Sequence, residues 1–212
     1  QTAIHRTDER PSPAFARLSW LVGLGTASAL FACVFLFCEL VYANNDDAYI
    51  LRMMMGYGSP ELPTFNMCLH FILLYPLRWL ASAFPGAAWF SRMQLLFLWL
   101  SAAVSVKALL QCFHNAERPL WQGLAACAVY LALFVAPYCA RVTFTVTAAM
   151  LGAAAVLQLL SIDPARLSDA RIVRSFMLAL VLCVLAYGLR QIAAVPILAF
   201  CAVAWFFRAL DR

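Results

Sequence analysis

Residues 65–84 read FNMCLHFILLYPLRWLASAF, and whether this stretch crosses a membrane decides the fold. It has the length of a spanning helix, which needs about 20 apolar residues to cover a hydrocarbon core of roughly 30 Å. It also carries Asn66, His70, Pro76 and Arg78. A proline removes a helix hydrogen bond, and polar or charged side chains are costly beside lipid at mid-depth, whereas a helix lying at the interface tolerates both.

The rest of the chain leaves no doubt that a membrane is the relevant solvent. Its 212 residues are 65% hydrophobic and 12% charged, and mean hydropathy is +0.84. A soluble domain could not build a polar surface from that composition. Further apolar runs lie at 15–43, 90–113, 120–138, 142–162, 173–189 and 192–207. The first is long enough to span and stay, so it reads as an anchor rather than a cleaved leader. Beginning with Gln and stopping at RALDR, the sequence reads as a trimmed chain or the N-terminal part of a longer one.

Arginine placement tests the number of crossings, because Lys and Arg near segment ends concentrate on the cytoplasmic side. With all seven runs crossing and the N-terminus inside, seven of the fifteen basic residues fall inside, and Arg166, Arg171 and Arg174 are stranded outside. If residues 65–84 do not cross, the inner set becomes Arg6, Arg10, Arg17, Lys107, Arg118, Arg166, Arg171, Arg174, Arg208 and Arg212, ten of fifteen. The fold expected is therefore an all-α, polytopic transmembrane helix bundle forming one domain over residues 1–212. It has six spanning helices, or seven if 65–84 crosses as a helix with a polar seam. Residues 1–14 form a cytoplasmic tail, both termini are cytoplasmic, and an outer loop at 42–89 carries juxtamembrane helices.

Other chemistries lack their parts. The eight cysteines, at 33, 38, 68, 112, 127, 139, 183 and 201, show no CxxC spacing and read as small buried hydrophobes. A net charge of +5 arises from scattered arginines without a basic run, which reports topology and not nucleic-acid binding. His70 and His114 fall on opposite sides of the membrane, which argues against a shared haem or zinc site. No P-loop, GxGxxG or nucleophile elbow occurs.

What remains is the outer face. The loop holds Asp46 and Asp47 in NNDDAYI, and the short loops PYCAR and YGLRQ place Arg141 and Arg190 at the same face. Adjacent carboxylates repel, so they call for water, N–H donors or a cation, and hard oxygen ligands suit Mg²⁺ or Mn²⁺. Guanidinium groups match phosphate oxygens. Together they suit an enzyme that binds a lipid phosphate while a carboxylate activates an acceptor hydroxyl. Glu39, near the end of the first span, adds an intramembrane carboxylate to that group. A plainer account is equally available, in which the aspartates cap a helix and the arginines anchor helix ends at the interface.

This pattern resembles the start of the GT-C fold membrane glycosyltransferases. A first span is followed by the acidic loop NNDDAYI, the turn GYGSPELP, the juxtamembrane segment from Phe65 and the span WFSRMQLLFLWL, with FTVTAAM (144–150) and Arg190 downstream. Protein O-mannosyltransferases, aminoarabinose transferases of lipid A and bacterial multi-spanning relatives with an NDD loop share that order. The resemblance implies that Asp46 or Asp47 deprotonates the acceptor or holds a divalent cation. It implies a polyprenyl-phosphate-linked sugar as donor, a lipid or glycan as acceptor, and reaction at the outer face of a bacterial plasma membrane. It also draws Tyr49, Glu61, Asn66 and His70 in as candidate substrate-binding residues beside Arg141, Arg190 and Glu39. The chain departs from the family in having fewer helices, no soluble outer domain, and Glu61-Leu62-Pro63 where some relatives carry Lys-Pro-Pro. A transporter or flippase, or a non-catalytic subunit of a cell-envelope complex, is the alternative. Transport is disfavoured by the lack of an internal repeat and the scarcity of ionisable residues in the later spans.

Overall fold

Leu, Ala, Phe and Val fill the long runs, and with no water to satisfy exposed peptide groups such runs close their hydrogen bonds internally as helices. The computed structural model describes residues 13–39, 41–42, 45–54, 69–162 and 169–210. Its helices are α1 (Pro13–Phe37), α2 (Asn45–Met54), α3 (Phe71–Ala83), α4 (Trp89–Asn115), α5 (Leu120–Tyr130), α6 (Ala136–Ala140), α7 (Phe144–Leu160), α8 (Asp169–Leu189) and α9 (Gln191–Leu210). Two short strands, β1 (Val41–Tyr42) and β2 (Arg141–Val142), interrupt the series.

Among the described residues, four helical segments are long and apolar enough to cross a membrane: Ala14–Phe37, Trp89–Asn115, Leu120–Ala140 and Ala170–Leu189. The third runs through α5 and α6 by way of a π-helical turn at Leu131–Val135, placed just before Pro137, whose missing N–H and bulky ring the wider turn accommodates. At 17 residues α7 is shorter, and α3 has only 13, about 20 Å of helix rise. Large apolar side chains such as Leu21, Phe37, Leu133, Ile192 and Phe200 face outward, as they do when lipid is the surrounding solvent.

α7 is central, packing on α4, α8 and α9, while α4 also packs on α1 and α5. Its buried Ala148, Gly152, Ala154 and Ala155 keep those approaches close. α1 and α4 run antiparallel. Phe15 near the start of α1 stacks on His114 near the end of α4, with ring centroids 3.9 Å apart, and Trp99 in the first half of α4 donates to Ser28 Oγ at 3.2 Å. The bundle thus has two ends. One gathers the end of α1, all of α2 and α3, and the start of α4 and α7. The other gathers the start of α1 and α8 and the end of α4 and α7. His70 and His114 lie at opposite ends, as the topology expects.

Two features differ from the hydropathy. The run 15–43 is not one helix, because α1 stops at Phe37 and β1 follows. β1 pairs in parallel with β2, Val41 opposite Arg141 and Tyr42 opposite Val142, so the backbone of Val41 and Tyr42 finds its partners across the bundle instead of within a helix. Glu39 consequently sits beyond the helix with an exposed side chain, not inside the first span. The described cysteines are free thiols, and Cys127, Cys139, Cys183 and Cys201 are buried.

Gly23 sets the spacing of α1 and α4. A Cβ there would lie 2.5 Å from the carbonyl oxygen of Ala103, a backbone atom that cannot swing aside. Gly23→Val is expected to destabilise the bundle by about 1–3 kcal/mol through overpacking, seen as a lowered Tm in detergent.

Candidate functional site

Burial on α2 separates the two aspartates. Asp47, Ile50 and Met54 are buried, whereas Asp46, Tyr49 and Arg52 are exposed. Residues three and seven positions on from Asp47 share its face, and one step along a helix turns the side chain by about 100°. The acidic pair therefore splits, with Asp46 toward solvent and Asp47 at 0% exposure.

The strand pairing decides what Asp47 meets. Because Tyr42 lies beside Val142, the start of α2 is brought close to the start of α7. Phe144, the first residue of α7, donates its backbone N–H to Asp47 Oδ1 at 3.0 Å, and Gln94 Nε2 of α4 donates to the same oxygen at 2.8 Å. A carboxylate thus closes the N-terminus of α7, where free N–H groups and the macrodipole favour negative charge. Burial raises the pKa of Asp47 above the usual carboxylate value, opposed by hydrogen bonds from Gln94, the Phe144 N–H and Thr143 and reinforced by the charge of Asp46. Asp47 Oδ2 and Gln94 Oε1 are both buried without a hydrogen-bond partner. Tyr42, whose hydroxyl bonds to Ser91 Oγ, has its pKa raised by burial and, to a smaller degree, by Asp47.

Arg190 reaches the same helix terminus from the end of α8. Its Nη1 donates to Thr145 Oγ1 at 2.7 Å, and its guanidinium carbon stands 4.8 Å from the ring centre of Phe144. Stacking on an aromatic face and one hydrogen bond orient the group while leaving further N–H donors for a ligand. Asp47 and Arg190 are therefore brought together through Phe144.

The remaining candidates take varied places. Arg141 is exposed on β2, two residues ahead of Thr143 and at the same end of the bundle. His70 caps α3, its Nδ1 accepting from the Ile72 N–H at 3.4 Å, its own N–H donating to Gly188 O at 2.9 Å, and its ring 4.9 Å from that of Tyr187. It docks α3 on α8, which is a structural task. Tyr49 is 65% exposed on the outer face of α2. Glu61 and Asn66 lie outside the described residues. As for Mg²⁺ or Mn²⁺, a hard cation needs converging oxygens. Asp46 and Asp47 face apart, and among the described residues no group of three His, Cys, Asp or Glu forms. The pair as arranged does not fit a shared metal.

Gln94 and the Phe144 N–H are the partners that sequence reasoning missed. Gln94 had a signal, an amide alone in the apolar span WFSRMQLLFLWL. The Phe144 N–H had none, since any helix start offers such a group.

A groove of about 900 Å³ opens on the side of the bundle between α5, α7 and α9, lined by Val129, Phe134, Met150, Ile197 and Phe200 among others. Its nearest α7 residue to the site, Ala149, is five positions from Phe144, about 8 Å of helix rise. Compared with known proteins, the chain matches no family model, no curated protein and no solved structure.

Proposed function

We propose that this chain is a GT-C-like membrane glycosyltransferase, or the membrane module of one, that moves a sugar from a polyprenyl-phosphate donor to a hydroxyl acceptor at the outer face of a bacterial plasma membrane. In this reading α1, α4, α5 with α6, α7, α8 and α9 are six crossings, both chain ends are cytoplasmic, and α2 and α3 lie at the outer surface. The observation that carries it is the meeting of Asp47 and Arg190 at the N-terminus of α7, with Asp46, the preceding residue of α2, exposed.

The roles follow from exposure. Asp46 is the carboxylate an acceptor can touch, so it takes the hydroxyl proton as the oxygen bonds to the anomeric carbon of the sugar. The bond from that carbon to the phosphate oxygen breaks, and the electron pair leaves on the polyprenyl phosphate. Arg190, oriented by Thr145 and the Phe144 ring, faces the growing charge. Asp47 is a positioning residue, since its buried oxygen holds α2 against α4 and α7. The apolar groove beginning about 8 Å along α7 suits an isoprenoid tail.

Binding of polyprenyl monophosphate to the chain in nanodiscs tests the donor side directly. Arg190→Gln is expected to weaken it by about tenfold or more, the loss of one charge-assisted contact. Equal affinity in wild type and variant, or no binding to either, would count against the donor assignment.

A further inference from the structure

The opposite end of the bundle holds a second collection of charge that sugar transfer does not use. Where α1 starts, α4 and α7 end and α8 begins, a cavity of about 230 Å³ is lined by Trp20, Lys107, His114, Ser161, Arg171 and Arg174, among others. No carboxylate belongs to its described lining.

Lys107 is the unusual member. It is 4% exposed, within the apolar segment Trp89–Asn115, where an ammonium group is costly without compensation. Its Nζ donates to Gln158 Oε1 at 2.7 Å and stands 5.4 Å from the Trp20 ring centre. Among the described residues no carboxylate pairs with it, and one hydrogen bond uses one of its three donors. Arg174 donates Nε to Ala170 O at 3.2 Å, which leaves both terminal amino groups of its fork for the cavity. Lys107 and Arg174 on one space, with Arg171 also in its wall, are answered poorly by a carboxylate, with one charge on two oxygens. A phosphate presents more acceptor oxygens and matches the arginine fork. Polar neutral groups, Gln111, Asn115 and Ser175, complete the wall.

We infer that this cavity binds a phosphate-bearing anion between Lys107 and Arg174, at the end of the bundle opposite Asp47. The phosphate comes either from a phospholipid headgroup or from solution, and the surroundings serve both. A lipid finds apolar space next door, because Phe15 and His114 also border a cavity of about 120 Å³ lined by Leu110, Phe113 and Gly123. Basic pockets between membrane helices capture headgroups in this manner.

The test uses the chain in phosphatidylcholine nanodiscs and reads Tm and the concentration giving half its shift. One arm adds phosphatidylglycerol to the bilayer, and the other adds inorganic phosphate to the buffer. A stabilising shift in the first arm alone identifies a lipid source, and a shift in the second identifies free phosphate. In either case the half-effect concentration is expected to rise by about tenfold in Lys107→Gln and in Arg174→Gln. It should stay unchanged in Arg92→Gln, an exposed cation at the other end. Arg174 is exposed at the rim, so its variant keeps the test valid if Lys107→Gln fails to fold. The inference is overturned by no shift in either arm, by a shift that survives Arg174→Gln, or by an equal loss in Arg92→Gln, which would mean general surface charge.

Discussion

Asp46→Asn is expected to reduce sugar transfer from a polyprenyl-phosphate donor by about 10²–10⁴-fold while leaving Tm within a degree or two. The size is that of removing a general base, and the unchanged stability follows from exposure. Asp46 stands in the first turn of α2, where a negative charge contributes about 0.3–1 kcal/mol with the macrodipole. Asn retains the shape. If the aspartates only finish a helix, the same substitution leaves transfer intact and costs that small increment alone. Transfer rates in membranes expressing wild type and variant at matched levels separate the two accounts. A rate within a few-fold of wild type would remove the catalytic role.

Asp47 predicts the reverse pattern, a large change in stability with the conservative variant as rescue. Asp47→Ala strands two buried donors, the Gln94 amide and the Phe144 N–H, each worth about 1–3 kcal/mol when left unpaired. A total loss of about 2–4 kcal/mol is expected, concentrated where α2 docks, with faster proteolysis of the 45–54 segment. Asp47→Asn should recover most of it, because its oxygen accepts the same two bonds and its amide can donate toward Gln94 Oε1, which has no partner.

The pH dependence distinguishes charge from shape. With its pKa raised by burial, folded Asp47 holds its proton to a higher pH than the unfolded residue, whose value is about 3.9. Between the two values the native state binds more protons, so stability falls as pH rises through that window and is then lower by a constant amount. Asp47→Asn should remove this slope, and urea unfolding of both proteins at a series of pH values from about 4 upward checks it. An identical slope in the Asn variant would assign the dependence to another group.

Much of this is legible in the chain itself. Composition makes it helical and membrane-borne, since lipid leaves uncovered peptide groups no alternative partner. Pro76 and Arg78 mark residues 65–84 as costly beside lipid, and within that stretch α3 has 13 residues. The two aspartates are not separable by spacing, because Ile50 lies three residues from Asp47 and four from Asp46, both helical spacings.

Other features needed the tertiary structure. Hydropathy carries Glu39 into the first span, yet β1 ends that run through hydrogen bonds to residues a hundred positions away. The same pairing delivers Asp47 to Phe144, and the return of α8 lays Arg190 over that ring. Lys107 likewise finds Gln158 and Trp20 only once three helices have packed. Periodicity and composition are local quantities, and they determined which segments are helices and which face each one buries. Which carboxylate meets which helix end depends on contacts between distant segments, whose geometry is set by packing and leaves no repeat in the chain to read.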